Sequence, residues 1–121
     1  MHVSVVLDAR MQEVYIANFS LNEHGIMQAL DEEKLFNYKQ AADYVQFSVV
    51  GSGSELVKLN QIDSTSPSEM SLKHIVATAQ DIAAIAQVCV SKKQWVDAEH
   101  ALPVYLRDDA WKKIPEQGKT N

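Results

Sequence analysis

The stretch that decides the fold is VVLDARMQEVYIANF, Val5 to Phe19. An Asp leaves an apolar run, stands near an Arg, and is followed by a Glu and a Tyr that open a second apolar run. Val3 to Leu7 is short and rich in Val. Glu13 to Phe19 alternates, with Val14 and Ile16 on one face and Tyr15, Ala17 and Phe19 on the other. A period of two with β-branched and aromatic residues marks a strand. The stretch therefore reads as a hairpin whose turn carries Asp8 and Arg10. Such a turn is either a phosphate-binding or catalytic loop, or only a connection.

Outward from the hairpin, Asn22-Glu23-His24-Gly25 is a turn signal, and Ile26 to about Leu30 reads as a third strand. The period then changes. Tyr38, Ala41, Ala42 and Val45 fall on one helical face, and Phe47 to Val50 reads as a fourth strand. Gly51-Ser52-Gly53-Ser54 ends that strand, with Ser54 placed to cap a short helix from Glu55 to about Leu59. Ser64 to Ser68 is a polar loop, and Leu72 to Val76 reads as a fifth, short strand. The clearest helix spans Ala79 to Lys93. Thr78 is its N-cap, and Asp81 stands where a capping box needs its acid. Ala79, Ile82, Ala83, Ala86, Cys89 and Val90 form its apolar stripe, which predicts a buried face and an inert Cys89.

This order predicts an α/β domain: a mixed sheet of about five strands, antiparallel in its first three, flanked by helices. It is the ribonuclease H-like pattern that each half of the actin and hexokinase superfamily also uses. Residues 1–115 form one domain, and the polar tail 116–121 is expected to be disordered.

Composition narrows function by exclusion. The chain of 121 residues carries a net charge of −5, and its longest basic cluster is Lys112-Lys113. An acidic domain is a poor binder of nucleic acid by itself, so any RNA contact is expected to be indirect. The single cysteine allows no disulfide within the chain and fits a reducing compartment. No run approaches the roughly 20 apolar residues of a membrane span. The four histidines are scattered, none at i+3 or i+4 from another, so no metal site is expected. There is no GxSxG elbow, and Asp31-Glu32-Glu33 reads as a solvated carboxylate run.

Several segments together resemble the bacterial TsaB family, also called YeaZ. LDARMQEVYIANF resembles its "DARxGEVY" hairpin, VVGSGSEL its strand and "GxG" turn, and ATAQDIAAIA its following helix. Glu99 to Arg107 resembles its "PxYLR" signature, here Pro103, Tyr105, Leu106 and Arg107, with Trp111-Lys112-Lys113 after it. The resemblance is to the family's second half; the "GPGSFTGLR" motif of its first half is absent. The abrupt start therefore suggests a C-terminal piece made by truncation or proteolysis, without the first actin-like half.

The resemblance implies a cytoplasmic, non-catalytic scaffold of the machinery that makes threonylcarbamoyladenosine on tRNA, together with TsaD and TsaE. It implies no cofactor of its own, with the ATP of the complex bound elsewhere, and a pairing surface mainly on the first half. Exposure of a face that the other half would cover favours a homodimer. The alternatives are an actin-like nucleotide-binding half-domain of the ATPase or kinase kind, and an interaction module unrelated to tRNA.

The candidate residues follow from both readings. Asp8, Arg10 and Glu13 occupy the place of the phosphate hairpin of actin-like ATPases, but the loop lacks the glycines that let backbone N–H groups approach oxygens. They are expected to organise the turn or an interface. Gln12 replaces the family's glycine, and would be strained if that position needs φ above zero. Gly51 and Gly53 are candidates for an anion or nucleotide contact, or simply a tight turn. In the last signature, Val104 and Leu106 are expected to pack while Tyr105 and Arg107 project, with Arg107 paired to a carboxylate. No residue is assigned to catalysis.

Overall fold

The computed structural model describes residues 1–58 and 75–107. Strands β1 (His2–Arg10) and β2 (Glu13–Leu21) pair antiparallel along nearly their whole length. Short strand β3 (Met27–Ala29) pairs with the far end of β2, through Phe19 to Leu21. A strand that the sequence reading missed, β4 (Lys34–Asn37), pairs with the near end, through Glu13 to Ile16. Helix α1 (Tyr38–Tyr44) then leads to β5 (Ser48–Val50), which lies parallel to β1. Helix α2 (Ser54–Lys58) follows, and α3 (Ala79–Ser91) comes after residues 59–74. The result is a mixed five-stranded sheet with helices against it, the ribonuclease H-like arrangement expected.

Together β3 and β4 form one interrupted third strand. At the interruption Leu30 N–H donates to the Asn18 carbonyl at 2.8 Å. The Asn18 N–H has no main-chain carbonyl opposite it and donates to Asp31 Oδ1 instead, also at 2.8 Å. A side chain thus supplies the acceptor that a continuous strand would have supplied.

The inner face of the sheet packs on α1 and α2. Val6, Val14 and Ile16 meet Ala41, Val49 and Val57, all buried, with Phe36, Tyr44 and Leu56 around them. Each fully buried Val or Ile contributes about 1.5–3 kcal/mol. Helix α1 starts with a capping box between Asn37 and Gln40. This satisfies two of the N–H groups that a helix start leaves unpaired.

Three expectations need correction. Ser54 does not cap α2: the first helical bond runs from Val57 N–H to the Gly53 carbonyl at 3.2 Å, so Gly53 holds the cap position. Ser54 lies inside the helix, buried, with its hydroxyl unpartnered among the described residues. Of the expected fifth strand, Leu72 to His74 lie outside the described residues, and Ile75 and Val76 have no regular structure. The capping box of α3 is as expected, with Thr78 Oγ1 and Asp81 bonded reciprocally. Yet α3 buries no residue: Ile82 is 63% and Val90 61% exposed, and Cys89 is only half-buried. Amphipathic periodicity shows that a helix has an apolar face; it does not show that another element lies against it. The Ser64–Ser68 loop, His74, Trp111-Lys112-Lys113 and the tail lie outside the described residues.

Candidate functional site

The β1–β2 turn is Met11-Gln12, two residues long. Both have positive φ, 55° and 61°, as does Arg10 before them at 65°. Two-residue hairpins take such turns because their twist matches that of the strands, and they usually recruit Asn or Gly to do so. Here no residue of the turn is Asn or Gly. A register shift between Asp8 and Arg10 adds a bulge at Ala9. Asp8 steadies this backbone: its Oδ1 accepts the Arg10 N–H at 2.8 Å, and its Oδ2 lies 3.5 Å from the exposed Arg10 guanidinium. Left-handed backbone costs a non-glycine residue roughly 1–2 kcal/mol, so something must hold it.

Arg107 is part of that answer. Its Nη2 forms an ion pair with Glu13 and also reaches the Ala9 carbonyl at 3.3 Å and the Arg10 carbonyl at 3.5 Å, while Nη1 lies 2.7 Å from Met11 Sδ. The Arg107 side chain is 12% exposed and that of Glu13 35%. The planar fork suits several acceptors around one bend, which a point charge does not. The last signature of the sequence thus closes on the first. Pairing of Arg107 with a carboxylate was expected; the orientation of its neighbours was not. Val104 and Tyr105 are 78% and 76% exposed, and Pro103 is exposed, whereas Leu106 is half-buried and Arg107 is the anchor. Alternation presumes an extended strand against a flat surface, and residues 101–105 form no strand.

The second turn lies beside the first. The Asp8 N–H donates to Ser52 Oγ at 3.0 Å, and the Gly53 N–H to the Val6 carbonyl at 3.0 Å. The Ser54 N–H goes to the Gly51 carbonyl at 3.1 Å. Both glycines are needed for close approach. A Cβ on Gly51, whose φ is 108°, would stand 2.4 Å from the Val6 carbonyl oxygen, and one on Gly53 would stand 2.7 Å from Val6 Cγ1. They let α2 sit against β1.

A polar network missed in the sequence crosses the sheet nearby. Ser4 Oγ donates to Asn18 Oδ1 at 2.7 Å, and Asn18 Nδ2 donates to Asp31 Oδ2 at 2.6 Å. Tyr44 Oη donates to the same oxygen at 2.6 Å, and the Phe47 N–H reaches Ser4 Oγ at 3.2 Å. Burial pushes the Asp31 carboxyl up, but the Asn18 N–H, the Tyr44 hydroxyl, the Asn18 amide and the Lys34 charge outweigh it, so its pKa is lowered. The hydrogen bond to Asp31, with burial and the carboxylate charge, raises that of Tyr44. Asp31 is therefore not the solvated carboxylate that the run suggested, although Glu32 and Glu33 are exposed. The signal was available: Ser4 and Asn18 share the face of Val6, Val14 and Ile16, where a polar side chain needs a partner.

Asp97, Glu99 and His100 bring ligand-type atoms within 4.8 Å of one another, all three exposed. Opposite the core, the outer face of the sheet forms an apolar groove of about 470 Å³. Val5, Leu7, Tyr15, Ala17 and Phe19 form its floor and residues 104–107 one wall.

No family model matches the chain. Among curated proteins, the tRNA threonylcarbamoyladenosine biosynthesis protein TsaB of Escherichia coli is 31% identical over 122 residues, covering 93% of this chain and 51% of that protein. Two solved structures from Pseudomonas aeruginosa share its fold. One is an uncharacterized protein with similarity to peptidase YeaZ, at TM-score 0.71 and 27% identity over 88% of this chain and 49% of that one. The other is YeaZ itself, at TM-score 0.64 and 26% identity over 86% and 49%. The chain belongs to the TsaB (YeaZ) family. It spans about half the length of these relatives. Gln12, where the family pattern has glycine, does adopt the left-handed backbone that glycine would take without strain.

Proposed function

We propose that this chain serves the biosynthesis of threonylcarbamoyladenosine on tRNA as part of a partner subunit that supports the catalytic subunit TsaD, rather than by chemistry of its own. One observation carries the non-catalytic reading. By the actin-like resemblance, the turns at Asp8–Gln12 and Gly51–Ser54 correspond to those that hold phosphate and adenosine in actin-like enzymes. Here the N–H groups of Asp8, Arg10, Gly53 and Ser54 are all engaged within the chain. A phosphate cradle needs such groups free and converging. Arg10, the exposed cation of the turn, offers a side-chain contact but no cradle.

The family relationship supports the pathway, and the acidic balance of −5 supports contact with proteins before contact with tRNA. On this reading ATP is used by the complex and is not expected to bind this chain strongly, and TsaE is a partner of the full-length protein. The proposed role in tRNA modification places the site of action in the cytoplasm. No helix among the described residues is long and apolar enough to cross a membrane.

The test replaces the second half of the E. coli relative with this chain and measures modified adenosine in a reaction reconstituted with TsaD, TsaE and the adenylate-forming enzyme. The chimera is expected to support modification only when TsaD is present, and the isolated chain to support none. ATP hydrolysis by the isolated chain would overturn the non-catalytic reading. A folded but inactive chimera would overturn the assignment to this pathway.

A further inference from the structure

Met11 stands at the tip of the β1–β2 hairpin, 74% exposed, with its Sδ 2.7 Å from Arg107 Nη1. The Glu13 carboxylate and the Ala9 and Arg10 carbonyls face the other arm of the guanidinium, Nη2. A thioether is a weak acceptor, so Nη1 is the poorly bonded arm of a fork that is otherwise well served. Met1 is as exposed, at 73%, but among the described residues no cation stands at its sulfur. Residues 104–107, which Arg107 ties to the hairpin, form one wall of the groove on the outer face of the sheet. The Met11 sulfur is thus open to solvent on one side and meets on the other the cation that holds this wall.

We propose that Met11 is an oxidation site, and that its sulfoxide locks residues 104–107 onto the hairpin through Arg107. A peroxide supplies the oxygen. A sulfur lone pair attacks one peroxide oxygen, and the O–O bond breaks as the S–O bond forms. The departing hydroxide takes the proton left on the new S–OH group and leaves as water, so sulfur is oxidised and the peroxide reduced by the same electron pair. The sulfoxide oxygen is polar and accepts strongly, and the guanidinium beside it is always charged, so the new hydrogen bond is charge-assisted. It falls on Nη1 and does not compete with Glu13 for Nη2. The Met11 side chain is unbranched and exposed, so it withdraws by the length of the added bond without loss of packing. A methionine sulfoxide reductase reverses the change, with two thiols oxidised to a disulfide and the oxygen leaving as water. The oxidation state of one exposed sulfur then sets how firmly the groove wall is held.

The experiment is limited digestion with trypsin, which must take the Arg107 side chain into its own specificity pocket and so cuts only when Arg107 leaves the hairpin. The full chain is treated with dilute hydrogen peroxide, and peptide mass spectrometry checks that Met11 has gained one oxygen. The initial rate of the cut after Arg107 is then compared with that after Lys93, which is exposed. Oxidation is expected to slow the first cut relative to the second by at least about threefold, because a hydrogen bond from a charged donor outweighs a thioether contact. Met11→Leu, which has no sulfur at this position, is expected to show no peroxide effect, and so separates Met11 from the other methionines. Met11→Gln, whose amide carbonyl is a neutral acceptor like the sulfoxide, is expected to slow the cut without peroxide. Circular dichroism checks that both variants fold. A Met11 that peroxide leaves unoxidised, an oxidised chain cut as fast as the untreated one or faster, a Met11→Leu chain slowed equally by peroxide, or a Met11→Gln chain cut as fast as wild type each overturns the proposal.

Discussion

Gln12→Gly is expected to stabilise the protein. Gln12 sits in the hairpin turn at φ 61°, exposed, with no side-chain hydrogen bond, so the substitution removes a strained backbone and no contact. Relief of a left-handed non-glycine residue is worth roughly 1–2 kcal/mol. Glycine also widens the unfolded ensemble, which takes back about 0.4–1 kcal/mol. The net gain is about 0.5–1 kcal/mol, or a rise of about 2–6 °C in Tm for a domain of this size. Urea unfolding measures it: the midpoint moves up while the slope is unchanged, because the surface exposed on unfolding stays the same. Gln12→Ala keeps the strain and is expected to stay within about 0.5 kcal/mol of wild type. A midpoint for Gln12→Gly that is unchanged or lower refutes the reasoning, and would mean that the turn does not hold its left-handed backbone in solution.

Arg107→Ala removes the ion pair with Glu13 and the contacts to the turn carbonyls, and is expected to cost about 1–3 kcal/mol in chemical unfolding. Arg107→Lys is expected to recover less than half of that loss, since an ammonium cannot reach the same acceptors in one plane. Full recovery by lysine would reduce the clamp to simple charge attraction. Asp31→Asn is expected to cost a similar amount, about 1–3 kcal/mol, by weakening the bonds from Asn18 and Tyr44. It also changes the response to acid. The folded-state pKa of Asp31 is lowered, so its contribution is present above the ordinary carboxyl value of about 3.9 and is lost as pH falls through the folded value. Wild type is therefore expected to lose stability below about pH 4 more steeply than Asp31→Asn; parallel acid limbs would exclude the network as a cause.

The hairpin, α1 and α3 were legible in the sequence because each carries its own local signal. These are the alternation from Glu13 to Phe19, the face through Tyr38, Ala41 and Ala42, and the box from Thr78 to Asp81. Strand β4 was not, because Lys34–Asn37 is short and follows three acidic residues; it is a strand only because Glu13 to Ile16 offers it an edge. Asp31 was misread for the same reason: its role depends on Asn18, thirteen residues away, and adjacency with Glu32 and Glu33 hid it. Ser54 looked like a cap by composition, but the approach of Gly53 to Val6 moves the helix start back by one residue. In the candidate site, the lack of glycine at Ala9–Gln12 already argued against a phosphate cradle. Long-range geometry supplied what the sequence lacked, namely that Arg107 reaches back to the turn and that Ser52 occupies the Asp8 N–H.

On the proposed reading these two turns serve structure and assembly rather than a nucleotide. Titration calorimetry of the chain with ATP and Mg²⁺ tests it most directly. No saturable heat is expected up to about 1 mM nucleotide. A one-to-one isotherm with a Kd below about 100 µM, abolished by Arg10→Ala or by Ser52→Ala, would contradict it and place a nucleotide site between the hairpin turn and α2.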